Sequence, residues 1–373
     1  MIAIVGKSCI IAAVYLLINL KKMRRLFLLL SLTQLIVSCS NDSSEENEDD
    51  NNQGGKYFVI GSKYGRNAAN NFSWLAAVWV DGVPTVLPNA GMVSVANAIA
   101  FYNNDTYIAG TETLENGSNI LKLWKNNTSE NLTDGTHRVE ATDIAVNQGN
   151  VYIVGNEYVG LLNFSIATVW KNGQTIHLTD ETSEANAVYV YNNDVYVTGY
   201  KVIFDKKTAV VWKNGTETVL YSEEGDLESI GTDVYADDKN MYVTGNLRNS
   251  EKSAAILWKN KIASTLSDEN NFSEANALFV HNSDVYVIGC DIDTDKYNFI
   301  GKIWKNGILV NEINGVNPIS ITINNNKIYA AAFGLDDKGI NQEDKIWESN
   351  LNNLDFTTKY KFPNDKINAV LVK

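Results

Sequence analysis

The residues of this chain that could do chemistry are aromatic and acidic, and they form two sets. The first holds Tyr64, Phe72 and Trp74, expected in the longest of the variable loops, then Tyr158, Phe164, Phe204 and Tyr297. Such rings stack on sugar faces or anchor a protein partner, although each could equally pack locally. The second set follows a repeated Leu-Ser/Thr-Asp…Glu pattern: Leu132-Thr133-Asp134 to Glu140, Leu178-Thr179-Asp180 to Glu184, and Leu266-Ser267-Asp268 to Glu274. Carboxylates gathered at one place would hold a cation or a basic partner; spread over a rim they keep a protein soluble. Asp291, Asp293 and Asp295 alternate as calcium ligands do, but Lys296 stands where such a loop needs glycine and Lys302 where it needs a bidentate glutamate. His137, His177 and His281 have no metal-ligand spacing. There is no nucleophile elbow, phosphate loop or evident general acid/base pair. The sequence therefore assigns no catalytic residue, cofactor or metal site.

What must position these residues is a repeat. Trp79, Trp124, Trp170, Trp212, Trp258, Trp304 and Trp347 fall at intervals of 42 to 46 residues. Upstream of each, an aromatic is followed three residues later by a small residue: Phe58/Gly61, Tyr107/Gly110, Tyr152/Gly155, Tyr196/Gly199, Tyr242/Gly245, Tyr286/Gly289 and Tyr329/Ala332. Copies of that length, dense in Val, Tyr, Ile and Thr, imply small sheets. Within one copy, EANAVYVY, VYVTGY, TAVVW and TETVL read as four strands, the last two joined by the two-residue turn Asn214-Gly215. Asn260-Lys261 and Glu348-Ser349 depart from that turn and predict wider hairpins. The Ala185-Asn186-Ala187 segment is compact and suits the innermost strand; Pro318-Ile319-Ser320 predicts irregularity at the matching place.

Four antiparallel strands per repeat, set radially, resemble an all-β, seven-bladed β-propeller over residues 56–373. The chain enters in a second strand (Lys56 onward) and ends in a first strand (Ile367-Asn368-Ala369-Val370). The C-terminal strand is therefore expected to pair with the N-terminal blade and close the ring. The variable connections between strands two and three share one face with the blade-to-blade crossings. That face is the candidate ligand face, with these aromatics and with Glu140, Glu184 and Glu274 around one mouth of the channel.

Residues 23–39 read MRRLFLLLSLTQLIVSC, a basic pair, a short apolar run and a small residue before cysteine. The end of this stretch resembles a bacterial lipobox. The resemblance implies a signal peptide over residues 23–38, cleavage before Cys39 and lipidation of that thiol. Residues 1–22 do not fit the signal: either translation starts at Met23, or Ile10 to Leu20 forms a short membrane helix. Residues 39–55 carry six acids and no base, the composition of a disordered tether. Acids close behind the cysteine also resemble the surface-export signals of Bacteroidota lipoproteins, which implies display at the outer membrane. The formal net charge is −13, which argues against nucleic acid as a partner. Beyond Cys39 the one cysteine is Cys290, so no disulfide is expected within the domain.

These readings point to a monomeric propeller, anchored by lipid alone, that binds a glycan or a protein without catalysis. Two alternatives remain open. One is a carbohydrate-active hydrolase or lyase at the acidic channel mouth; the other is a structural subunit of an envelope complex.

Overall fold

The computed structural model describes residues 55–67, 69–160, 164–220, 227–249, 252–267, 272–293, 298–334 and 343–373. Cys39, the signal and the tether lie outside the described residues. Twenty-eight strands are described, in six hydrogen-bonded sheets. The first sheet holds β1 (Tyr57–Arg66), β2 (Phe72–Val80) and β3 (Val83–Val86). The second holds β4 (Val93–Tyr102), β5 (Asp105–Thr113), β6 (Asn119–Lys125) and β7 (Thr128–Asn131). The third holds β8 (Arg138–Asn147), β9 (Asn150–Val159), β10 (Phe164–Lys171) and β11 (Gln174–His177). Next come β12 (Ser183–Tyr191), β13 (Asp194–Ile203), β14 (Lys206–Lys213) and β15 (Thr216–Val219).

The fifth sheet runs through β16 (Glu228–Ala236), β17 (Met241–Arg248), β18 (Ser253–Lys259) and β19 (Ile262–Thr265). It continues into β20 (Phe272–His281), β21 (Asp284–Asp293), β22 (Asn298–Lys305) and β23 (Ile308–Asn314). The last sheet holds β24 (Val316–Asn324), β25 (Lys327–Gly334), β26 (Glu343–Asn350) and β27 (Thr357–Pro363). Finally β28 (Lys366–Val372) returns to pair antiparallel with β1, as the innermost strand of the first sheet. The innermost strands β28, β4, β8, β12, β16, β20 and β24 lie beside one another in a closed circuit. The architecture is an all-β propeller with four antiparallel strands per blade.

The expectation of a seven-bladed propeller is corrected by the hydrogen bonding. Five blades are four-stranded, and the remaining sheet has eight strands, because β18 and β20 join through the parallel bridge Ser253↔Phe272. One serine differs at this junction. Elsewhere the serine two residues ahead of the innermost-strand Ala or Gly accepts an N–H from the preceding repeat: Ser94 from Ala76, Ser183 from Ala167 and Ser229 from Ala209. Ser273 instead donates to Asp291 Oδ1 (2.6 Å), and its carbonyl accepts from Ser253 Oγ (2.9 Å). That bond lies beside the Ser253↔Phe272 bridge.

Every innermost strand carries one extra residue, a β-bulge: Asn97, Thr142, Asn186, Thr232, Asn276, Ile319 and Asn368. The small residue three after the strand-two aromatic lies across from it. A Cβ at Gly199 would overlap the carbonyl oxygen of Glu184, and one at Gly289 that of Glu274. At β24 the bulge persists, so the irregularity expected there is one of side chain: Ile319 in the bulge, Ala332 opposite.

The bulged residues then clasp the next inner strand. Asn368 Nδ2 donates to Ala96 O (2.7 Å), Thr142 Oγ1 to Ala185 O (2.9 Å) and Asn186 Nδ2 to Gly231 O (2.7 Å). Thr232 Oγ1 donates to Ala275 O (2.8 Å) and Asn276 Nδ2 to Pro318 O (2.8 Å). Ser320 Oγ, one residue past its bulge, accepts from Val370 N (3.3 Å). At Asn97 the side-chain oxygen is buried with no partner.

Other recurring residues are equally occupied. Trp124, Trp170, Trp212, Trp258 and Trp304 are fully buried, each packed against the preceding repeat. Asn214 accepts Val195 N–H (2.9 Å) and donates to Asp194 (2.7 Å), while Lys213 pairs with Asp194 (2.6 Å) above the Tyr196 ring. The same clamp recurs at Asn126 and Asn306. The wider hairpin expected at Glu348-Ser349 is present, since six residues separate β26 from β27. At Asn260-Lys261 the expectation fails: Lys259 pairs with Ile262, and both turn residues take positive φ (50° and 74°).

Gly199→Ala is expected to cost about 3 kcal/mol, because the added methyl has no room against backbone. Denaturant unfolding measures this, and a midpoint equal to wild type contradicts the bulge account.

Candidate functional site

Since the recurring residues serve the fold, the site is sought among those that do not recur. At the variable-loop end of the β1–β2 hairpin, Tyr64 pairs across the strands with Trp74, and Arg66 with Phe72. The expected trio comes together there, although on the strands β1 and β2 and not in a loop, because pairing of the two strands extends past Tyr64 and Trp74 to Arg66 and Phe72. Tyr64 and Phe72 stack (5.7 Å, 13°), and Trp74 meets Tyr64 edge-on (5.3 Å, 61°). Arg66 lies 4.2 Å from the Phe72 centroid, and Lys366, opening β28, lies 4.8 Å from Trp74. Tyr64 is 52% and Phe72 60% exposed, so this ladder is open to solvent. Neither cation was marked by the sequence. Arg66 is two residues beyond Tyr64, but Lys366 arrives only through the pairing of β28 with β1.

The three glutamates occupy one register position on their inner strands, opposite Asn156, Tyr200 and Cys290. On the other inner strands that position holds Val95, Ile230, Asn317 and Lys366. The mouth is therefore mixed and not a ring of acids. Glu140 and Glu184 are neighbours. Glu140 is bound by Arg138 and accepts from Tyr158 Oη (2.8 Å), and Arg138 lies 4.4 Å from the Tyr158 ring centroid. Burial, then the bond to Glu140, raises the Tyr158 hydroxyl pKa. Tyr200 is raised likewise by burial and by Glu184, to which it is hydrogen-bonded. Glu274 stands apart, pushed up by burial and opposed by the charge of Arg248.

Phe164 lines a pocket of ≈ 390 Å³ with Val159, Ile166, Val202 and the crossing residues Asp180, Glu181 and Thr182. Phe204, 97% exposed, sits alone at the tip of the β13–β14 turn. Tyr297 and Asp295 lie outside the described residues. Asp291 is held by Ser273 and by Lys302 (3.0 Å), in keeping with a polar hairpin. His137 and His177, unrelated in spacing, both bind Glu157, at 2.5 and 2.7 Å, through separate oxygens. Burial raises the Glu157 carboxyl, and the two imidazoles lower it by more. Among the described residues no group of three His, Cys, Asp or Glu is placed to hold a metal.

Two aspartates at the axis escaped sequence reasoning. Asp143 accepts from Ile144 N and Val188 N (both 2.8 Å); Asp233 accepts from Val234 N (2.7 Å) and Leu278 N (2.8 Å). Both are half-buried. Burial pushes Asp143 up to about 6, against its backbone N–H bonds. Burial also pushes Asp233 up, to about 7, with the charge of Asp143 adding to the shift.

No protein-family model matches the chain, and no curated protein matches it in sequence. Solved structures do. The β-propeller domain of the Trilobed protease from Pyrococcus furiosus, which has an open velcro topology, superposes with a TM-score of 0.53 at 10% identity. The match covers 83% of this chain and 94% of that one. The Pyrococcus horikoshii acylaminoacyl peptidase gives 0.51 at 11% identity, over 82% of this chain and 50% of the peptidase. An acylaminoacyl peptidase in complex with Z-Gly-Gly-Phe-chloromethyl ketone gives 0.52 at 11%, over 82% and 51%. The chain thus spans about half the length of these peptidases, and the likeness is one of fold: a β-propeller.

The raised aspartates have a definite pH consequence. Unfolded, each titrates near its ordinary 3.8; folded, each holds its proton to about 6 or 7. The stability they contribute is full below about pH 4 and is lost as pH rises through 6 to 7. Between pH 4 and 7, wild type should therefore lose stability relative to an Asp143→Asn, Asp233→Asn variant. Parallel urea-unfolding curves across that range would show that the two groups do not titrate in the folded state as described.

Proposed function

We propose that this protein is a binding module, a propeller that uses its variable-loop face to hold a glycan or a protein. The observation that carries the reading is the Tyr64–Phe72–Trp74 ladder, with two of its rings more than half exposed. Open aromatic surface costs solvation and contributes little to a fold otherwise held by buried tryptophans, whereas it is suited to recognition. The rival reading, a carbohydrate-active enzyme at the mouth, has less support. Glu140 is engaged by Arg138 and Tyr158, and Glu184 by Tyr200, in each case by neighbours that the fold itself supplies.

The anchor is also a proposal, carried by the lipobox resemblance at Cys39 and the acidic stretch behind it. It fits the position of Lys56, which exchanges hydrogen bonds with Lys373 at the short-turn end of β1 (2.9 and 3.0 Å). The ladder lies at the opposite end of the same strand. A tether joined at Lys56 would leave the ladder directed away from the point of attachment, as surface display requires.

Phe72→Ala with Trp74→Ala should reduce retention on a glycan array or a protein-capture surface by about tenfold or more, with the melting temperature little changed. Unchanged retention removes this face from consideration. For the anchor, metabolic labelling with a palmitate analogue should mark wild type and not Cys39→Ala; label retained by the variant argues against the assignment.

A further inference from the structure

We propose that the ladder binds an acidic glycan, one whose sugars carry carboxylates. The proposal rests on the binding reading above and narrows its ligand. Cross-strand pairing and the two-residue period put Tyr64, Arg66, Phe72 and Trp74 on one face of the hairpin. The order along that face is cation, three rings, cation: Arg66 on Phe72, Phe72 against Tyr64, Tyr64 against Trp74, and Lys366 on Trp74.

Both cations are exposed, and among the described residues neither has an acidic partner. The bonds of Arg66 to Asn70 O (2.7 Å) and Oδ1 (3.2 Å) both leave from Nη1. The remaining donors of the guanidinium match the two oxygens of a carboxylate. Lys63, on the other face of β1, is paired with Asp365 (3.2 Å) and adds no net charge to the ladder. In a chain of net charge −13 the pair Arg66 and Lys366 is a local reversal of sign, and it is placed where the open rings are.

A ligand that uses all of these groups offers flat C–H faces to the rings and negative charge at intervals along its length. A uronate oligosaccharide does both. A neutral glycan would leave the cations without function, and an acidic peptide lacks the flat faces. Lys366 stands at the register position that holds Glu140, Glu184 and Glu274 on other inner strands. The acids opposite would repel such a ligand and confine it to the ladder side of the mouth.

Calorimetric titration of the full chain with hexagalacturonate, its methyl ester and hexaglutamate tests the proposal. Hexagalacturonate should bind about tenfold more tightly than either of the others. Arg66→Ala with Lys366→Ala should bring acid and ester within about twofold, while Phe72→Ala weakens both. Raising the ionic strength to about 1 M, where screening acts within about 3 Å, should erase the preference in wild type. Equal affinity for acid and ester overturns the charge selectivity and leaves the binding reading standing. Hexaglutamate binding as tightly as hexagalacturonate overturns the glycan assignment. Failure to bind any of the three, or binding indifferent to Phe72→Ala, removes the ladder as a carbohydrate site altogether.

Discussion

The structure depends on the bulge that each innermost strand carries next to the axis. Seven strands converge there, and strands that only packed side by side would leave backbone carbonyls short of partners. The bulge resolves this by turning one residue out of register, so that its side chain reaches the carbonyl of the next strand. Asn and Thr fill six of the seven places and supply a short donor, as from Asn186 to Gly231, Thr232 to Ala275 and Asn276 to Pro318; at the seventh, Ile319 leaves the contact to Ser320. The cost is that the preceding carbonyl is driven onto strand two, where in six of the seven repeats a glycine leaves room and in the other Ala332 stands. A repeating glycine in one strand is thus the shadow of a repeating clasp in another.

From this constraint much of the remaining repeat follows. Once the inner strands are fixed, the outer parts of neighbouring sheets diverge, and the widening gap takes a tryptophan from six of the seven repeats, Trp347 being half-buried. The Lys-Asn pair after that tryptophan ties the outer hairpin to the inner one through the aspartate of the first turn. These residues recur because the same mechanical problem recurs. What the mechanics leaves unassigned is concentrated at the opposite end of the strands, in side chains that differ from one repeat to the next.

Two kinds of surface result at that end. Around β8, β9, β12 and β13 the polar groups satisfy one another, with Arg138, Glu140 and Tyr158 in one group and Glu184 with Tyr200 in another. At β1 and β2 the rings are open and the charges at their ends have no acidic partner among the described residues. A closed network is rigid and adds definition to the fold; an open one has interactions left to make. That difference is the physical basis for preferring the ladder as the site.

The repeat, its four strands and the pairing of β28 with β1 were legible in the amino-acid order, because hydrophobic alternation and turn residues are local signals. So was the grouping of Tyr64, Phe72 and Trp74, which one hairpin holds. The merged eight-stranded sheet was not, since it rests on one bridge between Ser253 and Phe272, and both read as ordinary strand residues. Lys261 could not be expected in a tight turn, where the pairing of β18 with β19 imposes a positive φ on it. His137 and His177 meet on Glu157, and Lys366 reaches Trp74, across sequence separations that carry no spacing rule. The sequence alone determined what repeats, for periodicity is written in residue order. Only the tertiary structure decided which charges stand beside which rings, because that depends on where a strand from the far end of the chain comes to lie.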